Sequence, residues 1–119
     1  MLNYHDMQDD CLSVLAGEKS DPVFVDCGII PYAEALELQL RLQKARMDKE
    51  IPNTYLLLEH PPVITMGARK HDNRFVTPAE VIQKQGIHME QIRRAGGATS
   101  HNPGQLVIYP IVDLRSLGF

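Results

Sequence analysis

The sequence predicts an α/β (α+β) fold, a mixed β-sheet flanked by helices. Three observations predict it. Short β-rich runs (Val23-Phe24-Val25, Tyr55–Leu58, Val63–Met66, Ile87–Ile92, Leu106–Val112) alternate with stretches of good helix formers. The segment Pro31–Glu50 holds almost nothing but helix formers, with a proline at its start. Tyr55-Leu56-Leu57-Leu58 is apolar without alternation, the pattern of a strand covered on both faces.

The elements follow in order. Met1–Asp21 is polar and acidic with one weak apolar patch, Cys11–Ala16, and reads as a flexible N-terminal extension (residues 1–21) ahead of a domain over 22–119. Val23–Val25 is the first strand. In the helix after Pro31, Ala33, Leu36, Leu40 and Met47 fall near one face, which is expected to pack. The next two strands are separated by Glu59-His60-Pro61-Pro62. The paired prolines fix a bend, and His60 is expected to line a cleft. Thr77-Pro78-Ala79-Glu80 has the form of a capping box, with threonine at the N-cap, and its helix stops at Gly86. Strands Ile87–Ile92 and Leu106–Val112 follow. The chain then closes at Leu117-Gly118-Phe119 with no helix over the last strand, so the fold is expected to be incomplete in this chain.

Composition excludes several classes. A net charge of −3 gives no global basic field to recruit nucleic acid, and no apolar stretch reaches the length of a membrane span. The opening residues lack the order of a secretion signal, and two cysteines suit a reducing, cytoplasmic setting without a disulfide framework. No metal spacing is present, and no cofactor is expected.

The chemistry concentrates in RRAGGATSHNPGQLVIYP, Arg93–Pro110. Gly96-Gly97 permits close backbone approach or an anion nest, while Arg93 and Arg94 suit a phosphate or carboxylate. His101 suits a base or a donor to a carbonyl. No Gly-Lys-Ser/Thr follows, so this is no P-loop, and the following strand excludes a dinucleotide fingerprint. A plain connection between strands explains the same residues equally well. Arg69-Lys70-His71 with Arg74 forms a cationic loop, either a solvated surface or a site that steers an acidic partner. Cys27 stands beside Asp26, a neighbour that raises a thiol pKa, and neither Cys11 nor Cys27 has the setting of an activated nucleophile.

Three segments, CGIIPYAEALELQ, LLLEHPPVITMG and RAGGATSHNPGQLVIYPIVDL, resemble the lipoyl/octanoyl transferase family in that order and spacing, over about Val25 to Leu114. The resemblance implies a biotin/lipoate protein ligase-like catalytic fold, of which residues 22–119 would be the N-terminal half. It implies transfer of an octanoyl group from acyl carrier protein to a lysine of lipoate-dependent enzyme domains, the first step of protein lipoylation. The implied partners are acyl carrier protein, the lipoyl domains of 2-oxoacid dehydrogenases and glycine cleavage H protein, with a complementing C-terminal half or homo-oligomer. The family's pocket motif reads Arg-Gly-Gly-x-x-Thr-Tyr-His-Gly-Pro-Gly-Gln. Arg94, Gly96, Thr99, His101, Pro103, Gly104 and Gln105 match it. Ala95 replaces a glycine, Gly97 a usual Glu or Gln, Ser100 a tyrosine and Asn102 a glycine. The implied substrate-binding residues are therefore Arg94, Ala95, Gly96, Gly97, Ala98, Thr99, Ser100 and His101. The family's catalytic cysteine and lysine match nothing here. The Gly-Gly-Ala order also resembles the ATP-dependent lipoate–protein ligases, and a non-catalytic acyl- or carrier-binding module is a third reading.

Overall fold

Thr54–Glu59, the apolar run before the Glu-His-Pro-Pro break, forms an interior strand of the larger of two sheets in the computed structural model, which describes residues 1–119 apart from the side chain of Gln8. In chain order the strands are β1 (Leu2–Asn3), β2 (Val23–Ile29), β3 (Thr54–Glu59), β4 (Val63–Met66), β5 (His88–Gln91), β6 (Thr99–His101) and β7 (Val107–Ile111). The α-helices are α1 (Tyr4–Met7), α2 (Cys11–Ala16), α3 (Tyr32–Met47) and α4 (Ala79–Lys84). One sheet has the order β1-β2-β3-β7, parallel except for the antiparallel β3–β7 pair. The other has the order β5-β4-β6, parallel then antiparallel. This is the mixed α/β architecture expected. Parallel neighbours need a crossover, and α3 supplies it between β2 and β3.

The first 21 residues depart from the expected flexible extension. Leu2 and Asn3 pair in parallel with Val25 and Asp26. Tyr4, Met7, Cys11 and Leu15 are buried in the same core cluster as Val25, Cys27 and Leu56. Their spacing of three, four and four residues puts apolar groups on one helical face, which the acidic residues between them disguise.

In α3 the packed face is the opposite of the expected one. Ala35, Leu38, Leu42 and Ala45 are buried, whereas Ala33, Leu36, Leu40 and Met47 are exposed, Met47 at 75%. The helix carries apolar residues on two faces, and its small alanines let one face approach the sheet closely. The other face, with Pro110–Arg115, borders a groove of about 740 Å³. The expectation that β3 is covered on both faces is corrected likewise. Thr54, Leu56 and Leu58 are buried, and Tyr55, Leu57 and Glu59 only partly so.

Helix α4 has Pro78 rather than Thr77 at its N-cap, and no side chain caps it, so the capping box does not form. Pro78 has an extended ψ of 145°, outside the helix, which moves the start one residue on. The stop is as expected: Gly86 has φ +82° and donates its N–H to the Gln83 carbonyl.

Candidate functional site

The Arg93–Gln105 segment is fastened to the end of β4 by its backbone. A β-carbon added to Gly67, the residue after β4, would stand 1.9 Å from the Gly96 carbonyl oxygen, and one on Gly97 would stand 2.3 Å from the carbonyl oxygen of Asp72. Glycine is required at both points because backbone meets backbone. Ala68 N–H donates to the Arg94 carbonyl at 3.0 Å. Asn73 holds the facing loop: its Oδ1 accepts from Gly67 N–H at 2.8 Å, and its Nδ2 donates to the carbonyls of Gly67 and Arg69. Gln91 adds a bond to the Gly67 carbonyl at 2.7 Å.

Arg94 turns back onto the sheet. Its Nη2 donates to both the carbonyl and Oγ1 of Thr65, each at 2.8 Å, and Nη1 donates to the Ala95 carbonyl at 3.1 Å. Thr65 is buried on β4. Beside it, β6 runs antiparallel, pairing Thr99 with Thr65, Ser100 with Ile64 and His101 with Val63. Directly opposed residues share a sheet face, so Thr99 and His101 stand on the face of Thr65 and of the Arg94 guanidinium, and Ser100 on the other. Ala95 and Gly96 are exposed, Gly96 with φ +88°, while Gly97 and Ala98 are half-buried. Ser100 accepts only a local bond from Asn102 Nδ2 at 3.3 Å. The eight residues thus divide: Arg94, Thr99 and His101 share one face, Ala95–Ala98 form the turn that sets them, and Ser100 stands on the opposite face.

His60 is fully buried rather than lining a cleft. Its Nδ1 lies 2.8 Å from the Ile30 carbonyl, an acceptor, so Nδ1 carries the proton and Nε2 accepts from the Tyr109 hydroxyl, also at 2.8 Å. The ring packs against Tyr32 and stands edge-on to His101, with centroids 5.7 Å apart. Burial lowers the His60 pKa; the bond to Ile30 opposes the drop and His101 adds to it. The Tyr109 hydroxyl is pushed up to about 12, first by burial and then by Tyr32, and stays a donor. His101 Nδ1 lies 2.7 Å from Gln105 Oε1, which leaves Nε2 as its lone-pair nitrogen. Glu59 Oε1 accepts from the Gly104 N–H, fixing the far end of the segment.

The cysteines carry no signature of a nucleophile. Both are buried; burial raises the Cys11 thiol pKa, and burial, Cys11 and Asp26 push Cys27 up to about 12. Sequence reasoning missed Thr65, Gly67, Asn73 and Gln91, which hold the segment, and Tyr109, which holds His60. Thr65 and Gly67 lie in LLLEHPPVITMG and Tyr109 in RAGGATSHNPGQLVIYPIVDL, whereas Asn73 and Gln91 lie in none of the three segments.

Residues 31–119 match the family model described as the lipoyl protein ligase A/B catalytic domain. The chain belongs to that family. Among curated relatives, it is 47% identical over 89 residues to an octanoyltransferase of Acidobacterium capsulatum, covering 75% of this chain and 36% of the relative. It is 44% identical over 91 residues to an octanoyltransferase of Roseiflexus sp., covering 76% and 38%. It is 39% identical over 92 residues to a mitochondrial octanoyltransferase of Arabidopsis thaliana, covering 77% and 39%. The chain therefore spans 36–39% of the length of these relatives. The family match begins at Pro31, so it includes α3, both strands flanking His60 and the whole Arg94–His101 segment, but not α1 or α2. Among the described residues, no helix is long and apolar enough to cross a membrane.

Proposed function

We propose that this chain is the acyl-holding part of an octanoyltransferase, acting in the transfer of an octanoyl group from acyl carrier protein to the lysine of a lipoyl domain. The observation that carries the reading is the convergence of Arg94, Thr99 and His101 on the Thr65 face of the small sheet, inside the region matched to octanoyltransferases. In this reading Gly96 and Gly97 let the backbone pass close to the acyl thioester, and Arg94 gives the turn its shape through Thr65. Backbone N–H groups of the turn face the carbonyl, where developing negative charge is stabilised by fixed donors, while the lone pair on His101 Nε2 is free to accept a proton.

The reaction needs a nucleophile to take the acyl group and release the carrier thiol, then an attack by the target lysine amine. Cys11 and Cys27 are buried with raised thiol pKa values, so the proposal assigns the nucleophilic cysteine and its lysine to residues outside these 119.

Incubation of the chain with octanoyl-loaded acyl carrier protein tests this. The expected result is binding that weakens in Arg94→Ala and His101→Ala, with no acyl adduct on the chain by mass spectrometry. An adduct on Cys11 or Cys27 would overturn the assignment. The Gly96-Gly97-Ala98 order favours a second reading, part of an ATP-dependent lipoate ligase. Binding of a lipoyl-adenylate mimic without binding of the octanoyl carrier would select it.

A further inference from the structure

Charge is distributed unevenly over this acidic chain. Five of its twelve basic side chains (Arg69, Lys70, Arg74, Arg93 and Arg94) lie on two adjoining segments with one of its fifteen acidic ones, Asp72. The two segments carry +4, and the remaining seven basic and fourteen acidic groups leave −7 elsewhere. Arg69, Lys70, Arg74 and Arg93 are exposed, and among the described residues none of them forms an ion pair. Beside them Phe75 and Val76 are exposed large apolar residues. Unpaired like charges flanked by exposed apolar groups add nothing to the stability of the fold.

The surface is also firmly placed. The Asn73 bonds to Gly67 and Arg69, the Ala68–Arg94 backbone bond and the contact of Asp72 with Gly97 tie the cationic loop to the glycine-rich turn. A partner seated on Arg69–Val76 is thereby held next to Arg94–His101.

We infer that the Arg69–Val76 loop, with Arg93, is the docking surface for an acidic protein face that delivers the acyl thioester to Arg94–His101. The inference rests on the octanoyltransferase reading and adds the recognition surface to it. A compact acidic face covers the patch alone and gains from its field, which steers encounter. Nucleic acid or an anionic membrane extends beyond the patch onto the rest of the chain, whose charged groups sum to −7 and oppose it.

The test measures binding of octanoyl-loaded acyl carrier protein to the full chain by fluorescence anisotropy at low and moderate salt. Arg69→Glu/Lys70→Glu is compared with a distant reversal, Lys19→Glu/Lys44→Glu, and melting curves confirm that both variants fold. The first reversal is expected to weaken binding by at least about tenfold and to flatten its salt dependence, while the distant one changes it less than about twofold. Equal effects of the two reversals would overturn the docking surface and leave the function reading intact. Tight binding of phosphatidylglycerol vesicles, abolished by the first reversal while carrier binding persists, would overturn it in favour of a membrane. Failure of the unaltered chain to bind the carrier would overturn both readings.

Discussion

Gly67 meets Gly96 so closely that a single added methyl group would overlap the Gly96 carbonyl, with 1.9 Å between their atoms. The obstacle is backbone and cannot rotate away, and Gly67 itself is held in place by Asn73 and Gln91. Gly67→Ala is therefore expected to destabilise the chain by about 3 kcal/mol, the upper end of ordinary single substitutions. Gly17→Ala is the control. There the new carbon meets nothing nearer than 3.6 Å and the φ is −84°, so the change should stay within about 0.5 kcal/mol. Urea unfolding of the two variants checks the contrast.

The fork of Arg94 on Thr65 predicts that lysine cannot replace the arginine. A point charge on a flexible stem cannot meet the Thr65 carbonyl, its hydroxyl and the Ala95 carbonyl together. Arg94→Lys should cost octanoyl-carrier binding nearly as much as Arg94→Ala. Thr65→Val keeps the shape but removes one acceptor, and should destabilise by about 1–2 kcal/mol. Equal binding by Arg94→Lys and the unaltered chain would refute the account.

His60 gives the stability a pH dependence of known sign. Its folded pKa lies below the ordinary value of about 6.5, because burial disfavours the cation. Its contribution is then fully present above the unfolded value and is lost as pH falls from about 6.5 toward the lowered folded pKa. Denaturant midpoints should drop across that window. His60→Gln should be less stable at pH 7.5 and show a shallower drop, and an unchanged slope would assign the dependence to other groups.

Both thiols should be inert in the folded chain. Cys11 and Cys27 are wholly buried with raised pKa values, so a disulfide reagent at pH 7.5 is expected to label neither until denaturant is added. Rapid labelling of the native protein would contradict the packing of α1 and α2.

The strands Tyr55–Leu58, Val63–Met66 and Leu106–Val112 were legible because a β-rich run bounded by proline or glycine leaves few alternatives. The face of α3 was not. Leu36, Leu40 and Met47 make as good a stripe as Ala35, Leu38, Leu42 and Ala45, and only the neighbouring sheet decides which is buried. Residues 1–21 misled for a related reason: four buried groups were spread among five carboxylates, Asp6, Asp9, Asp10, Glu18 and Asp21. In the candidate site, Arg94 and His101 stood out by residue type. Thr65 and Tyr109 act through contacts across 29 and 49 positions of chain, which no local pattern records, and Asn73 acts within its own loop, four to six positions away, where an asparagine is ordinary.

The two borders of the larger sheet are not equivalent. On one side β1 is two residues long and runs directly into α1, too short to template a long added strand. On the other, β7 is five residues long and paired only through β3, with its own Ile108 half exposed. Of the two edges, β7 is the one long enough to template an added strand. Pro110, which sits opposite Tyr55, has no N–H to offer an incoming strand. That missing donor breaks the otherwise uniform edge and acts as a register mark, so a strand joining there would be selected for its alignment as well as its apolar side chains.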